Sequence, residues 1–256
     1  MEAYTGFASV YDILMNHIPY DKWADYIENI LKKHGIDKGL LLELGCGTGK
    51  MTRRMAKKGY DMIGIDISQE MLSIAREKSE GLDDGILYLC QDMREFELYG
   101  TVAAVICVCD SINYMVNSDD LRKVFNLVGN YLDPGGLFIF DMDTQYLYEE
   151  VLADNVTYMD HEDGCFIWEN TLYPDEMINE VNLTLFQRQG DNLYSKHKET
   201  HIRKAYDIET IKKLLDQAGL DMLGAYHELT DKEPRIDSER VYIIARERHR
   251  SNKLYI

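Results

Sequence analysis

Leu41-Leu42-Glu43-Leu44-Gly45-Cys46-Gly47-Thr48-Gly49 decides how this chain is read. Its first half, with Gly39 and Leu40 ahead of it, is a short apolar run of the kind that forms a buried strand. Its second half places a glycine at every other position. Glycine lets the backbone turn sharply and lets a ligand approach without a Cβ in the way. Lys50 to Lys58 follows as a predicted helix closed by Gly59. The N–H groups at the start of a helix are unpaired and available to polar ligand atoms. Met62-Ile63-Gly64-Ile65-Asp66 is the next predicted strand, and Asp66 stands 21 positions after Gly45. An acid at that strand end can accept hydrogen bonds from both hydroxyls of a ribose. The order strand, glycine turn, helix, strand, acid gives a short glycine motif its meaning.

The alternation extends outward in both directions. Upstream, Trp23, Tyr26, Ile27, Ile30 and Leu31 recur at helical spacing from Asp21, and Gly35 ends the segment. Downstream, Ser68 is a predicted cap for a helix carrying Met71, Leu72 and Ala75. Ile86 to Cys90 and Val102 to Val108 read as the third and fourth strands. Asn117 and Ser118 precede a helix with Leu121, Val124, Phe125, Val128 and Leu132 on one face. Asp133-Pro134-Gly135-Gly136 is expected to turn the chain into a fifth strand, Leu137 to Asp141. After about Thr144 the rhythm breaks, and residues 156–206 read as long strands joined by turns at Pro174-Asp175-Glu176 and Gly190-Asp191-Asn192. A helix with Ile208, Ile211, Leu214 and Leu215 then runs to Gly219, before two strands, Leu220 to His227 and Val241 to Ala245. The expected fold class is α/β: a doubly wound, seven-stranded, mostly parallel sheet formed by residues 1–144 and 207–256. Residues 145–206 are expected to form an inserted antiparallel β-layer.

Bulk properties narrow the function classes. A chain of 256 residues with 45% hydrophobic content can bury a sizeable core. No run approaches the roughly 18 apolar residues of a membrane span, and Met1-Glu2-Ala3-Tyr4 does not open a signal peptide, so a cytoplasmic location is expected. Cys46, Cys90, Cys107, Cys109 and Cys165 are odd in number and mostly beside apolar runs, as buried free thiols are. Cys107-Val108-Cys109 lacks metal or redox spacing. A net charge of −17 disfavours a nucleic-acid partner, and the cluster Arg246, Arg248, Arg250 and Lys253 reads as a solvated tail. His197, Glu199 and His201 share one face of a strand, a pattern compatible with zinc, with substrate contact or with ordinary surface. Further ligands are lacking and Lys196, Lys198 and Arg203 lie among them, so no metal is expected.

The motif differs from the longer dinucleotide fingerprint, and Glu43 stands two residues before Gly45. Glu43 to Gly49, Gly64-Ile65-Asp66-Ile67-Ser68-Gln69-Glu70-Met71, Cys90-Gln91-Asp92-Met93 and Leu132-Asp133-Pro134-Gly135-Gly136-Leu137-Phe138 together resemble class I S-adenosylmethionine-dependent methyltransferases. The opening Tyr4, Phe7-Ala8 and Tyr11-Asp12 resembles the small-molecule branch, which includes glycine N-methyltransferase and the aminosugar N,N-dimethyltransferases. The resemblance spans residues 1–145 and 207–247.

The resemblance implies S-adenosylmethionine as cofactor. Gly45, Cys46, Gly47 and Gly49 would line its methionine part and ribose, and Glu43 would order that loop. Asp66 and the adjoining Ile67 would meet the ribose, and Met71 would pack on the adenine. Asp92 would take the adenine amino group, flanked by Gln91 and Met93. Cys109, Asp110 and Asn113 would lie where cofactor amine and substrate are touched, and Tyr11 would close the methionine end. Asp110 and Tyr114 are the candidate catalytic groups by position, although neither is a compelling base. The expected partner is a small-molecule methyl acceptor, a nitrogen nucleophile, covered by the insertion, with the protein a monomer or homodimer and away from membranes. RNA methylation, a non-catalytic cofactor-binding module and nicotinamide chemistry stay open on the sequence alone.

Overall fold

Apolar strands flanked by amphipathic helices leave one economical arrangement, a sheet covered on both faces. The computed structural model describes residues 18–81, 85–162, 164–190 and 193–248. Its main sheet has seven strands in the order β10-β11-β5-β4-β1-β2-β3. β1 (Leu40–Leu44), β2 (Asp61–Asp66), β3 (Leu87–Cys90), β4 (Val102–Cys107) and β5 (Leu132–Asp143) are parallel. β11 (Arg240–Glu247) runs antiparallel to both β5 and β10 (Leu220–His227).

The residue alternation of each strand feeds two cores. Leu42 and Leu44, with Ile63, Val105 and Phe138, pack against α4 (Ser118–Tyr131) and α5 (Ile208–Gln217) through Leu121, Phe125, Ile211 and Leu215. Leu41, with Met62, Ile106 and Ile139, packs against α1 (Tyr20–Lys33) and α2 (Lys50–Lys57) through Trp23, Ile27, Met51 and Met55. Each such fully buried side chain contributes about 1.5–3 kcal/mol. α3 (Gln69–Ser79) rests Leu72 and Ala75 on Cys46 and Tyr88. The Ser68 hydroxyl accepts from Met71 N–H at 3.2 Å, and Asn117 and Asp207 cap α4 and α5 in the same way. Each cap is worth about 1 kcal/mol.

β4 and β2 flank β1 on opposite sides, so strand order reverses at β1. Ligands of open parallel sheets sit beyond the carboxyl ends of the strands at such a point. The second sheet follows β5 in the chain. It is antiparallel, in the order β6 (Val156–His161), β7 (Gly164–Tyr173), β8 (Ile178–Arg188) and β9 (Tyr194–Lys204).

Two expectations change. Asp133-Pro134-Gly135-Gly136 is part of β5 rather than a turn before it. The irregularity there is a register shift opposite Val102 and Ala104, at a proline that has no N–H for the ladder. A single wide helical turn, Leu147–Leu152, bridges the two sheets and carries the buried Tyr148. The basic cluster is no solvated tail where it is described: Arg246 bonds His34 Nδ1 at 2.8 Å, and Arg248 pairs with Asp216 and Asp221. The acidic partners of Arg248 come from α5 and β10. Tyr4, Phe7, Tyr11, Asp191, Asn192, Arg250 and Lys253 lie outside the described residues.

Candidate cofactor and acceptor site

The glycine turn leaves β1 in a left-handed backbone. Gly45, Gly47 and Gly49 have φ of 69°, 52° and 71°, values that cost most residues free energy. A Cβ on Gly45 would meet Ser111 Oγ at 2.7 Å, so that position is closed by packing. A Cβ on Gly47 would meet no atom of the described residues within 4 Å, so its left-handed φ rather than packing calls for glycine there, and the backbone is left open to a ligand.

Asp66 ends β2 beside this turn. Its Oδ2 accepts from Gly47 N–H and its Oδ1 from Ser68 N–H, both at 2.8 Å. Each carboxylate oxygen keeps lone-pair capacity for a hydroxyl. Burial pushes the Asp66 carboxyl up, opposed by these backbone donors. Glu43 is buried in β1, and Thr52 Oγ1 donates to its Oε2. Burial pushes Glu43 up to about 8, with the Thr52 bond opposing and the Asp66 charge adding to the rise. A cleft beside the turn is lined by Glu43, Gly45, Gly47, Lys50, Tyr20 and Cys109. Cys46 also lines it, and its thiol is buried against α3. The Tyr20 hydroxyl lies 3.8 Å from Cys109 Sγ.

The residues expected around the adenine follow β2 and β3 in the chain. Ile67 is 59% exposed, while Met71 is only 1% exposed. Asp92 is held by its own loop, since Arg94 Nε donates to Oδ1 at 2.9 Å and to Oδ2 at 3.0 Å. Burial raises the Asp92 carboxyl, but the Arg94 bonds outweigh it and leave it below its usual range. Gln91 Oε1 accepts from Glu97 N–H at 2.8 Å, which braces this loop. Met93 packs on the core of the α4 side.

Beyond β4 the chain makes a strained turn. Cys109 and Asp110 have φ of 64° and 52°, left-handed values that non-glycine residues hold only under constraint. The constraint is Asp141, at the end of β5. Its Oδ2 accepts from Cys109 N–H at 3.2 Å and its Oδ1 from Asp110 N–H at 2.9 Å. Arg240 of β11 donates to Asp141 at 2.7 Å, to Asp143 at 3.0 Å and to Asp110 at 3.1 Å. Arg203 of β9 donates to Asp110 at 2.8 Å and to Asp143 at 3.3 Å. Three carboxylates thus share two guanidinium groups. Burial and the Asp110 charge push Asp143 up to about 7. The Arg240 guanidinium also lies over the Trp23 ring, 5.3 Å from its centroid. Asp110 is therefore a member of an ion cluster that ties the second sheet to the first.

Asn113 has a structural role. It is fully buried, donating to the carbonyls of Asp143 and Lys204 and accepting from Asp143 N–H. Both of its amide hydrogens and one acceptor position go to clamping three segments. Tyr114, one residue on, bonds His201 Nδ1 through its hydroxyl at 3.0 Å. His201 Nε2 lies 3.3 Å from Glu199 Oε2. His197 is instead bonded to Ser195 Oγ at 3.1 Å, so the trio divides. Among the described residues no cluster of three or more His, Cys, Asp or Glu side chains has the arrangement of a metal site.

Arg203, Arg240, Asp141 and Asp143 were not among the sequence candidates. Their signal was faint: Asp141 and Asp143 alternate at the end of an apolar strand, where a carboxylate needs a buried partner.

Comparison with known proteins agrees with this geometry. Residues 41–136 match the family described as Methyltransferase domain. A Bacillus subtilis (strain 168) protein named as a methyltransferase, YqeM, is 37% identical over 243 residues, covering 94% of this chain and 96% of its own. The dTDP-3-amino-3,4,6-trideoxy-α-D-glucopyranose N,N-dimethyltransferase of Streptomyces venezuelae is 28% identical over 149 residues, 57% of this chain and 60% of its own. The crystal structure of an S-adenosylmethionine-dependent methyltransferase from Clostridium acetobutylicum ATCC 824 superimposes with a TM-score of 0.86 at 30% identity, covering 96% and 99% of the two chains. With the open cradle at Gly47 and the strand order around β1, these similarities mean that the chain belongs to the S-adenosylmethionine-dependent methyltransferases.

Proposed function

We propose that the chain methylates a small-molecule amine held between the glycine turn and the inner face of the second sheet. The observation that carries this reading is the buried ion cluster, in which Asp110, Asp141 and Asp143 outnumber Arg203 and Arg240. With Asp143 pushed up to about 7, the excess negative charge of this cluster develops as pH rises through that value, and it then favours cations in its field. An ammonium acceptor is a cation, and so is the sulfonium of the cofactor. When bound, S-adenosylmethionine supplies a methyl group on a sulfonium that leaves as a neutral thioether. The protein's share of the work is orientation and proton handling.

In this reading Gly45, Gly47 and Asp66 hold the methionine and ribose parts of the cofactor. Glu43 orders the turn through Thr52. Ile67, Met71, Gln91, Asp92 and Met93 form the adenine rim, and Cys109 adjoins the methionine end. Among the described residues the buried Tyr148 hydroxyl and Arg203 Nε have no hydrogen-bond partner, which is costly unless a polar acceptor group meets them. The sugar N,N-dimethyltransferase similarity supports an amine, and the net charge of −17 disfavours RNA.

The test has two stages. Calorimetry with S-adenosylhomocysteine is expected to show one site, and its absence would end the cofactor assignment. Transfer of tritiated methyl from S-adenosylmethionine is then followed across amino sugars, amino acids, phenols and bulk tRNA. Labelling of tRNA or phenols with every amine inert would overturn the amine reading.

A further inference from the structure

On β9 the residues Ser195, His197, Glu199, His201 and Arg203 share the inward face, and the last of them joins the ion cluster. His201 is 5% exposed and the Glu199 side chain 8%. The tyrosine bonded to this histidine comes from the turn after β4, three residues from Ser111, whose hydroxyl abuts Gly45. Of the three groups, Tyr114 is the one that belongs to the turn beside the cleft.

Hydrogen-bond chemistry favours one direction along the row. A carboxylate only accepts, so Glu199 Oε2, 3.3 Å from Nε2, favours the tautomer with its hydrogen on that nitrogen. In that tautomer Nδ1 carries a lone pair and can accept from the Tyr114 hydroxyl 3.0 Å away. Three groups are thus ordered as donor, base and orienter, the arrangement that makes a buried histidine a proton acceptor.

We propose that Tyr114, His201 and Glu199 form a proton relay that deprotonates the ammonium form of the methyl acceptor. The inference rests on the amine-methylation reading above. An N–H bond of the ammonium breaks and its proton passes to Tyr114 Oη. The Tyr114 hydroxyl proton moves to His201 Nδ1 in the same event. The acceptor becomes a neutral amine with a free lone pair, Tyr114 is unchanged, and the positive charge now sits on His201 against Glu199. No oxidant, metal or other reactant is required. The proton returns to solvent through Tyr114 when product leaves. Tyr114 is the catalytic residue of this row, while His201 and Glu199 act through it.

Among the described residues the charged and titratable groups around His201 are few. Glu199 and Arg203 flank it on β9, and Tyr114 faces it from the turn. The β8 residue paired with it, Val181, is apolar. Tyr148, from the turn between the sheets, acts electrostatically on Tyr114 and Arg203.

The decisive experiment combines two readouts on the full chain. The first needs no acceptor: nitrogen NMR of histidine-labelled protein assigns the His201 tautomer. Expected is hydrogen on Nε2, weakened in Glu199→Gln and retained in Tyr114→Phe. Hydrogen on Nδ1 in the wild type would overturn the relay, because the ring could not then accept from Tyr114. The second readout is kcat/KM against pH for the amine that the panel shows to be methylated, in Tyr114→Phe and His201→Gln. Each variant is expected to lose roughly 100-fold at neutral pH and to recover as pH rises and the free amine appears. S-adenosylhomocysteine affinity should stay within about twofold of wild type, which separates the relay from a folding defect. An unchanged pH profile in His201→Gln would also overturn the relay. A panel with no methylated amine counts against the amine reading, and the tautomer still judges the relay on its own.

Discussion

Burial pushes the Glu43 carboxyl up to about 8, with Thr52 opposing and Asp66 adding to the shift. The folded state therefore holds one more proton than the unfolded chain between about 4.5 and 8. Stability from this group is complete below the unfolded value and is lost as pH rises through the folded one. The slope is about 1.4 kcal/mol per pH unit inside that window. Glu43→Gln is expected to flatten that part of the stability curve, measured as urea midpoints near both ends of it. An undiminished slope in the variant would assign the proton elsewhere. Asp66→Asn exchanges an acceptor oxygen for an amide donor and should weaken S-adenosylhomocysteine binding roughly 10- to 100-fold by calorimetry. Equal affinity would remove Asp66 from the cofactor site. Asp66 was legible in the sequence because its place at a strand end follows from chain order. Asp141 was not, because its partners Cys109, Asp110 and Arg240 meet it only after β4, β5 and β11 align.

At the level of elements, the glycine turn separates a packing requirement from a binding one. Gly47→Ala should cost stability only about 1 kcal/mol, the left-handed strain alone, because no atom of the described residues lies within 4 Å of the new Cβ. The same change should cut S-adenosylhomocysteine affinity at least about tenfold, since the Cβ fills the cradle. Gly45→Ala should destabilise more, by about 2–3 kcal/mol, because Ser111 Oγ already stands 2.7 Å away. Chemical denaturation and calorimetry on the two variants test both statements. A Gly47→Ala protein that binds normally would show the cradle to be unused. Helix caps at Ser68 and Asn117 were readable from sequence, since capping is local. The Pro134-Gly135-Gly136 segment reads as a turn in sequence but belongs to β5, because a ladder irregularity depends on the neighbouring strand, which local sequence does not contain.

For the whole molecule, Arg203 decides how the second sheet is fastened to the first. Removing it leaves Asp110 and Asp143 buried with Arg240 as their remaining cation among the described groups of the cluster. Arg203→Met is expected to cost about 3–5 kcal/mol, the usual penalty for an uncompensated buried charge. Hydrogen exchange should then rise across β6 to β9 while β1, β2 and β4 stay protected. Uniform loss of protection would mean that the two sheets unfold as one unit regardless of this contact. The double change Arg203→Met with Asp110→Leu should recover part of the loss, because a matched removal leaves fewer unpaired charges.

The sequence by itself determined the alternation of strands and helices, the glycine turn, Asp66 and the presence of an antiparallel insertion. These depend on the period of apolar residues and on local backbone chemistry, both written along the chain. The resemblance carried by those motifs led to the cofactor. Only the tertiary structure decided that β9 faces the post-β4 turn, that Asp110 sits in an ion cluster, that Asn113 is a clamp, and that Tyr114 bonds His201. Tyr114 and His201 are 87 residues apart, and Asp110 and Arg240 are 130. Contacts at such separations follow from how two sheets pack, and no local pattern in either segment encodes its partner.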